Sequence, residues 1–189
     1  MTKEDVNIFQ MKLSLIDTEI WRRFIVRSDT RLPEFHKIIQ TLMGWTNSHL
    51  HHFKVNSLFY GPPEEDFNSS VNYEKVDLEM IVKKKGFCFY YEYDFGDGWE
   101  HEIVVEDILP FQKGHFYPEC LEGQKACPPE DCGGAPGYCQ ILDALKDKGN
   151  PENEEILEWL GNFYNPDLFD VKGINRLLRD ENYGCLELY

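Results

Sequence analysis

The chain opens on an alternation. Phe9, Met11, Leu13 and Leu15 are separated by Gln10, Lys12 and Ser14. A period of two sends one set of side chains to one face, so a half-buried strand is predicted here. A second strand is predicted over Trp21 to Val26. The period then changes in RLPEFHKIIQTLMG, where Leu32, Phe35, Ile39 and Leu42 fall on one helical stripe. Pro33 suits the first turn of that helix, Thr30 or Asp29 could cap it, and Gly44 can end it in a left-handed conformation.

Alternation returns in HLHHFKV, with His49, His51, Phe53 and Val55 on one predicted face. GPPEEDFNSS reads as a loop. Val76, Leu78, Met80 and Val82 mark a further strand, and Phe87, Phe89, Tyr91 and Tyr93 another. FGDGW reads as a tight turn, because Asp-Gly supplies positive φ at little cost. It leads into Trp99, His101, Ile103 and Val105. The stretch from Pro110 to Pro136 has little periodicity and is expected to be a long irregular segment. Three helices are expected beyond it, in GYCQILDALKD, NPENEEILEWLG and DVKGINRLLRD. The expected fold class is α+β: an antiparallel sheet of five or six strands, one early helix and a helical C-terminal third. One domain over residues 1–189 is expected, with its helical part at 134–189.

Composition narrows the function classes. With 42% hydrophobic and 14% aromatic residues, the 189-residue chain reads as globular and core-rich. Its net charge is −15, from 34 acidic and 19 basic residues, which repels phosphate backbones and disfavours nucleic acid as a partner. The basic run Lys83-Lys84-Lys85 reads as a solvated hairpin turn. No apolar run approaches a membrane span and the polar start MTKEDVNIFQ has no secretory pattern, so a cytoplasmic location with reduced cysteines is expected.

Three polar stretches could carry chemistry. In WTNSHLHHF, His49 and His51 at i and i+2 could share a metal ion, or could serve as hydrogen-bonding groups at a sheet edge. In YDFGDGWEHE, Asp94 and His101 could face each other across the turn, or Asp97 could tie the turn backbone. In CPPEDCGGAPGYC, preceded by Cys120, the thiols of Cys120, Cys127 and Cys132 could hold zinc with a histidine. No Cys-x-x-Cys knuckle supports that, and Cys139 falls within a predicted helix. Glu130 and Asp131 are expected to tie the loop or favour a helix start. Phosphate-loop, dinucleotide, nucleophile-elbow and His-Glu-x-x-His motifs are absent.

The three stretches occur in one order: WRRFIV with LPEFHKIIQTLMGWTNSHLHHF, then YEYDFGDGWEHEI, then CLEGQKACPPEDCGGAPGYC. Together they resemble the family named for the third open reading frame of plasmid pRiA, from about Ile8 to Asp170. The resemblance implies an α+β domain and carries no activity or catalytic residues with it. Names such as resolvase or repressor, borne by some relatives, do not suit a chain this acidic with only six arginines.

The expected function is therefore a binding or interaction module for a protein or small molecule. Its site is expected to be lined by Trp45, His49, His51, Asp94, Asp97, Trp99, His101, Glu130 and Asp131. The alternative is a metal-dependent hydrolase in which His49, His51 and His101, with a carboxylate, hold a divalent ion such as zinc. A DNA-associated regulator is a third class.

Overall fold

The computed structural model describes residues 6–63, 70–161 and 164–186. The first five residues, and most of the expected GPPEEDFNSS loop, lie outside them. Among the described residues, eight strands form one sheet: β1 (Asn7–Leu15), β2 (Trp21–Arg27), β3 (His51–Val55), β4 (Leu58–Gly61), β5 (Ser70–Asn72), β6 (Cys88–Tyr93), β7 (Trp99–Pro110) and β8 (Glu119–Gln124). Their order is β5-β4-β3-β6-β7-β1-β2-β8. The sheet is mixed, because β4 and β5 run parallel while the other neighbours are antiparallel.

This overturns the expected antiparallel sheet of five or six strands. Three strands carry too little pattern to be read. In β8 the register with β2 slips between Arg23 and Phe24, and Cys120 is its one fully buried side chain. β4 follows β3 across two residues, with Asn56 in the left-handed region at φ 55°. β5 has only three residues.

The segment expected as a strand around Val76 to Val82 is instead the one-turn helix α2 (Leu78–Ile81). Leu78 and Ile81, three apart, are buried, while Met80 is exposed. The basic run therefore joins a helix to a strand rather than closing a hairpin.

The expected helical C-terminal third is also corrected. Helix α3 (Gly134–Lys146) has 13 residues, but α4 (Glu154–Leu160) and α5 (Val171–Leu177) have seven each. Short 3₁₀ turns at Pro151–Asn153 and Glu181–Gly184, with irregular chain, make up much of the rest. Asn175 of α5 works for the sheet: its side-chain amide accepts from the Cys120 N–H at 2.7 Å and donates to the Cys120 carbonyl at 2.8 Å. That satisfies backbone groups at the outer edge of β8.

Helix α1 (Leu32–Met43) covers one face of the sheet. Leu32, Phe35, Ile39 and Leu42 are fully buried, and Phe35 stacks on Phe53 with centroids 5.7 Å apart. Phe9, Met11, Leu13 and Leu15 point into the same core. The helix starts from Arg31, whose N–H donates to Glu34, rather than from Thr30 or Asp29. It ends on Gly44 at φ 84°. The opposite face is mostly polar, with Ile8 and Ile25 as buried exceptions, and Arg23 binds Glu106 there through Nε at 2.6 Å and Nη2 at 2.9 Å. One buried face and one polar face explain why the central strands alternate so cleanly. Among the described residues, no helix is long and apolar enough to cross a membrane.

Candidate metal and ligand site

The loop after α1, the turn between β6 and β7 and the loop before α3 meet at one end of the sheet. The turn 94–98 is built by Asp94. Its backbone is left-handed at φ 56°, and its Oδ1 accepts the N–H groups of Gly96 at 3.0 Å and Asp97 at 3.3 Å. Asp97 reaches outward, accepting from the Gly133 N–H at 3.2 Å. Gly134 packs so closely that a Cβ there would sit 2.4 Å from the Asp97 carbonyl oxygen. Gly133-Gly134 thus presses the start of α3 against the turn.

The CPPEDC loop is held from its other side. Trp45 is 5% exposed, stacks on Tyr93 at 4.8 Å, and donates from its indole to the Pro128 carbonyl at 3.0 Å. Glu130 accepts from the Thr46 N–H at 3.0 Å, from the Thr46 hydroxyl, and from the Tyr93 hydroxyl at 2.7 Å. Tyr93 in turn accepts from the Ser48 N–H at 2.9 Å. Burial, then Glu130, pushes the Tyr93 phenol well up, so it stays a proton donor. Glu130 is therefore a loop-tying group with both of its oxygens engaged. Its neighbour Asp131, left-handed at φ 57°, points elsewhere.

That direction is towards His49. Nε2 of His49 lies 3.2 Å from Asp131 Oδ1 and 3.7 Å from Asp94 Oδ2. This nitrogen is buried and makes no hydrogen bond among the described residues. Ligand atoms of His49, Asp94 and Asp131 all fall within 4.8 Å of one another, the one such group of three or more His, Cys, Asp or Glu residues among those described. Around a tetrahedral ion with ligand bonds near 2.1 Å, neighbouring donor atoms sit about 3.4 Å apart. The two measured separations bracket that value. Oδ1 of Asp94 serves the turn, leaving Oδ2 for the cluster.

Of the predicted residues, Trp45, His49, Asp94, Asp97, Glu130 and Asp131 converge. His51 does not join them, and His101 meets the group only from the core, its ring edge-on to Trp45 at 5.4 Å. His49 precedes β3, so it does not share the strand face of His51 and Phe53. His51 stacks on His36 with centroids 3.4 Å apart and planes 3° from parallel, and its Nε2 meets the Tyr73 hydroxyl at 2.9 Å.

The partners of His36 fix its tautomer. Asn47 donates through Nδ2 to the Leu186 carbonyl, so its Oδ1 accepts from His36 Nε2 at 2.7 Å. Nδ1 then accepts from the Tyr91 hydroxyl at 2.8 Å, while Gln40 donates to that hydroxyl oxygen at 3.0 Å. Burial draws His36 down to about 4 and His51 well below its usual range, so both rings are neutral.

His101 is completely buried, and its Nδ1 donates to the Tyr91 carbonyl at 3.2 Å. Burial brings it down to about 4. Trp99 is a 3%-exposed core residue beside Trp45.

Cys120, Cys127 and Cys132 belong to no such three-ligand group, and the cysteines are free thiols. Burial raises Cys120 and Cys132 to about 11 and holds Cys127 well above the usual thiol range, which keeps them protonated at neutral pH. Sequence reading did not single out Thr46, Tyr93 or His36. Tyr93 continues the buried alternation of Phe89 and Tyr91, and nothing in that pattern separates its hydroxyl from a core ring.

Comparisons place the chain among relatives. Residues 5–173 match the family model described as plasmid pRiA4b ORF-3-like protein. The uncharacterized protein y4hQ of Sinorhizobium fredii (strain NBRC 101917 / NGR234) is 38% identical over 159 residues, 82% of this chain and 81% of the relative. The crystal structure of a protein of unknown function, MM3350 from Methanosarcina mazei Go1, superposes with a TM-score of 0.81 at 35% identity. It covers 88% of this chain and 96% of that one. Matched along most of its length by the family model and by both relatives, this chain belongs to the plasmid pRiA4b ORF-3-like family.

Proposed function

We propose that this protein is a binding module in which His49, Asp94 and Asp131 hold a divalent cation of the zinc or manganese class. The observation that carries this reading is the His49 Nε2 atom. It is buried, without a hydrogen bond, and set between carboxylate oxygens at 3.2 and 3.7 Å. An imidazole with two carboxylates suits a borderline cation. Three protein ligands leave positions for an oxygen or nitrogen of a protein or small-molecule partner. Trp45, Tyr93, Glu130 and Thr46 set the loop that carries Asp131.

The test is calorimetric titration of tag-free protein with Zn²⁺ and Mn²⁺, alongside His49→Ala and Asp131→Asn. Saturable binding at one site, lost in both variants, is expected. Binding unchanged in both, or no melting shift with either ion, would end the reading. A metal-dependent hydrolase is the second reading, favoured because three ligands with open positions are also the arrangement of catalytic zinc. It requires metal-dependent turnover that disappears in His49→Ala.

A further inference from the structure

Trp45 and Thr46 tie the loop that carries His49 to the CPPEDC segment, and Asn47 ties it to α1. Asn47 stands two residues before His49, with its backbone in the left-handed region at φ 60°. Its N–H donates to Gln40 Oε1 at 3.1 Å. A backbone N–H can only donate, and that sets the direction of the bonds that follow. Gln40 turns its Nε2 to the Tyr91 hydroxyl, which gives its own proton to His36 Nδ1. His36 Nε2 then carries the proton donated to Asn47 Oδ1. The circuit closes on Asn47 and leaves it one donor, Nδ2.

That donor binds the Leu186 carbonyl at 3.1 Å. Leu186 ends a C-terminal segment that runs along α1. Lys37 donates through Nζ to Asn182 Oδ1 at 3.1 Å, and Thr41, one turn further on, donates its hydroxyl to the Tyr183 carbonyl at 2.8 Å. Cys185 is buried, and its N–H donates to the Asn182 carbonyl at 3.1 Å. Asn182 and Tyr183 are both left-handed, at φ 52° and 61°, a conformation that surrounding contacts must hold in such residues. The family match ends at residue 173, so this segment lies beyond it.

We infer that Asn47 is a positioning residue for the cation site, and that the C-terminal segment seated on it sets how firmly the site holds its ion. The effect on affinity rests on the cation reading above; the contact itself does not. His36 and Gln40 are buried in α1 and fix Asn47 from the core, while Leu186 holds it from outside. Loss of the Asn47 amide or of the segment frees the turn before His49. Each binding event must then gather His49 to Asp94 and Asp131 again, at a cost in affinity.

The test compares wild type with Asn47→Gly, Thr41→Val and Thr41→Ser, all keeping the 189 residues. Glycine at 47 accepts the left-handed backbone and removes only the amide. Valine at 41 removes the hydroxyl that holds Tyr183 and touches neither the loop nor a ligand of the ion, whereas serine keeps the hydroxyl. Calorimetry with Zn²⁺ and Mn²⁺ reads affinity. Amide hydrogen exchange in ion-free protein reads Ser48 and His49, with Phe53 of β3 as the control for general destabilisation. Affinity should fall about tenfold in Asn47→Gly and about two- to threefold in Thr41→Val. Ser48 and His49 should exchange faster in both, Phe53 should not, and Thr41→Ser should match wild type. Unchanged exchange at Ser48 and His49 in Asn47→Gly would overturn the inference, and so would faster exchange with wild-type affinity. Wild-type behaviour of Thr41→Val would overturn the part given to the C-terminal segment. If the wild type binds neither ion, the cation reading fails, and exchange alone decides whether Asn47 and the segment hold the loop.

Discussion

Replacing Gly134 by alanine tests how α3 is locked to the turn that carries Asp94. Gly134 has φ 67°, and a Cβ built on it would lie 2.4 Å from the Asp97 carbonyl oxygen and 3.3 Å from its carbon. Gly133 next to it is an internal control. Its φ is 87°, but a Cβ there meets nothing closer than 3.9 Å. Both substitutions incur the left-handed penalty of an L-residue, about 1–2 kcal/mol. Gly134→Ala adds an overlap with backbone that only a shift of roughly 1 Å between α3 and the turn can relieve, at about 1–3 kcal/mol more. Gly133→Ala should therefore cost about 1–2 kcal/mol and Gly134→Ala about 2–5 kcal/mol. For a chain of this size each kcal/mol lowers the melting temperature by roughly 2–4 °C. Urea and thermal denaturation followed by circular dichroism measure both. Equal destabilisation by the two substitutions would refute the close-approach argument, since only the shared φ penalty would then be operating.

Two further outcomes follow from other parts of the structure. His36 and His101 both stand at about 4 in the folded protein, against an unfolded value near 6.5. The unfolded chain binds more protons between those values, so their contribution is complete above pH 6.5 and is lost as pH falls towards 4. The loss is about 3 kcal/mol for each ring. The slope of unfolding free energy between pH 7 and 4.5 checks it, and a flat profile over that window would contradict the buried neutral rings. At the site, Glu130→Ala strands the Thr46 N–H and the Tyr93 hydroxyl together. It should cost about 2–3 kcal/mol and weaken cation binding by loosening the Asp131 loop, whereas Glu130→Gln should cost about 1 kcal/mol. Denaturation paired with metal titration reads both effects, and wild-type stability in Glu130→Ala would remove Glu130 from its loop-tying role.

Periodicity by itself determined the elements that bury one face. The alternation of Phe9 to Leu15, the stripe of Leu32, Phe35, Ile39 and Leu42 and the Gly44 stop are all visible in residue order, because burial on one side imposes a local period. Where burial does not come from one face, the pattern fails. β8 is held by the β2 backbone and by the Asn175 amide, neither of which is nearby in sequence. The segment Val76 to Val82 satisfies a period of two on paper. Packing beside Thr30 and Ser28, whose carbonyls accept the N–H groups of Leu78 and Glu79, selects a helical turn instead.

The site divides in the same way. The residue types were legible, since histidines and carboxylates beside tight turns are unusual enough to notice. Their partners were not. A stacking contact removes His51 to the side of His36, and complete burial removes His101. A left-handed backbone at Asp131 and the Glu130 hydrogen bonds bring an exposed loop carboxylate to His49. A linear pattern records which face a side chain takes on its own element, but the meeting of three loops depends on contacts between residues more than 30 positions apart. Only the tertiary structure could decide those.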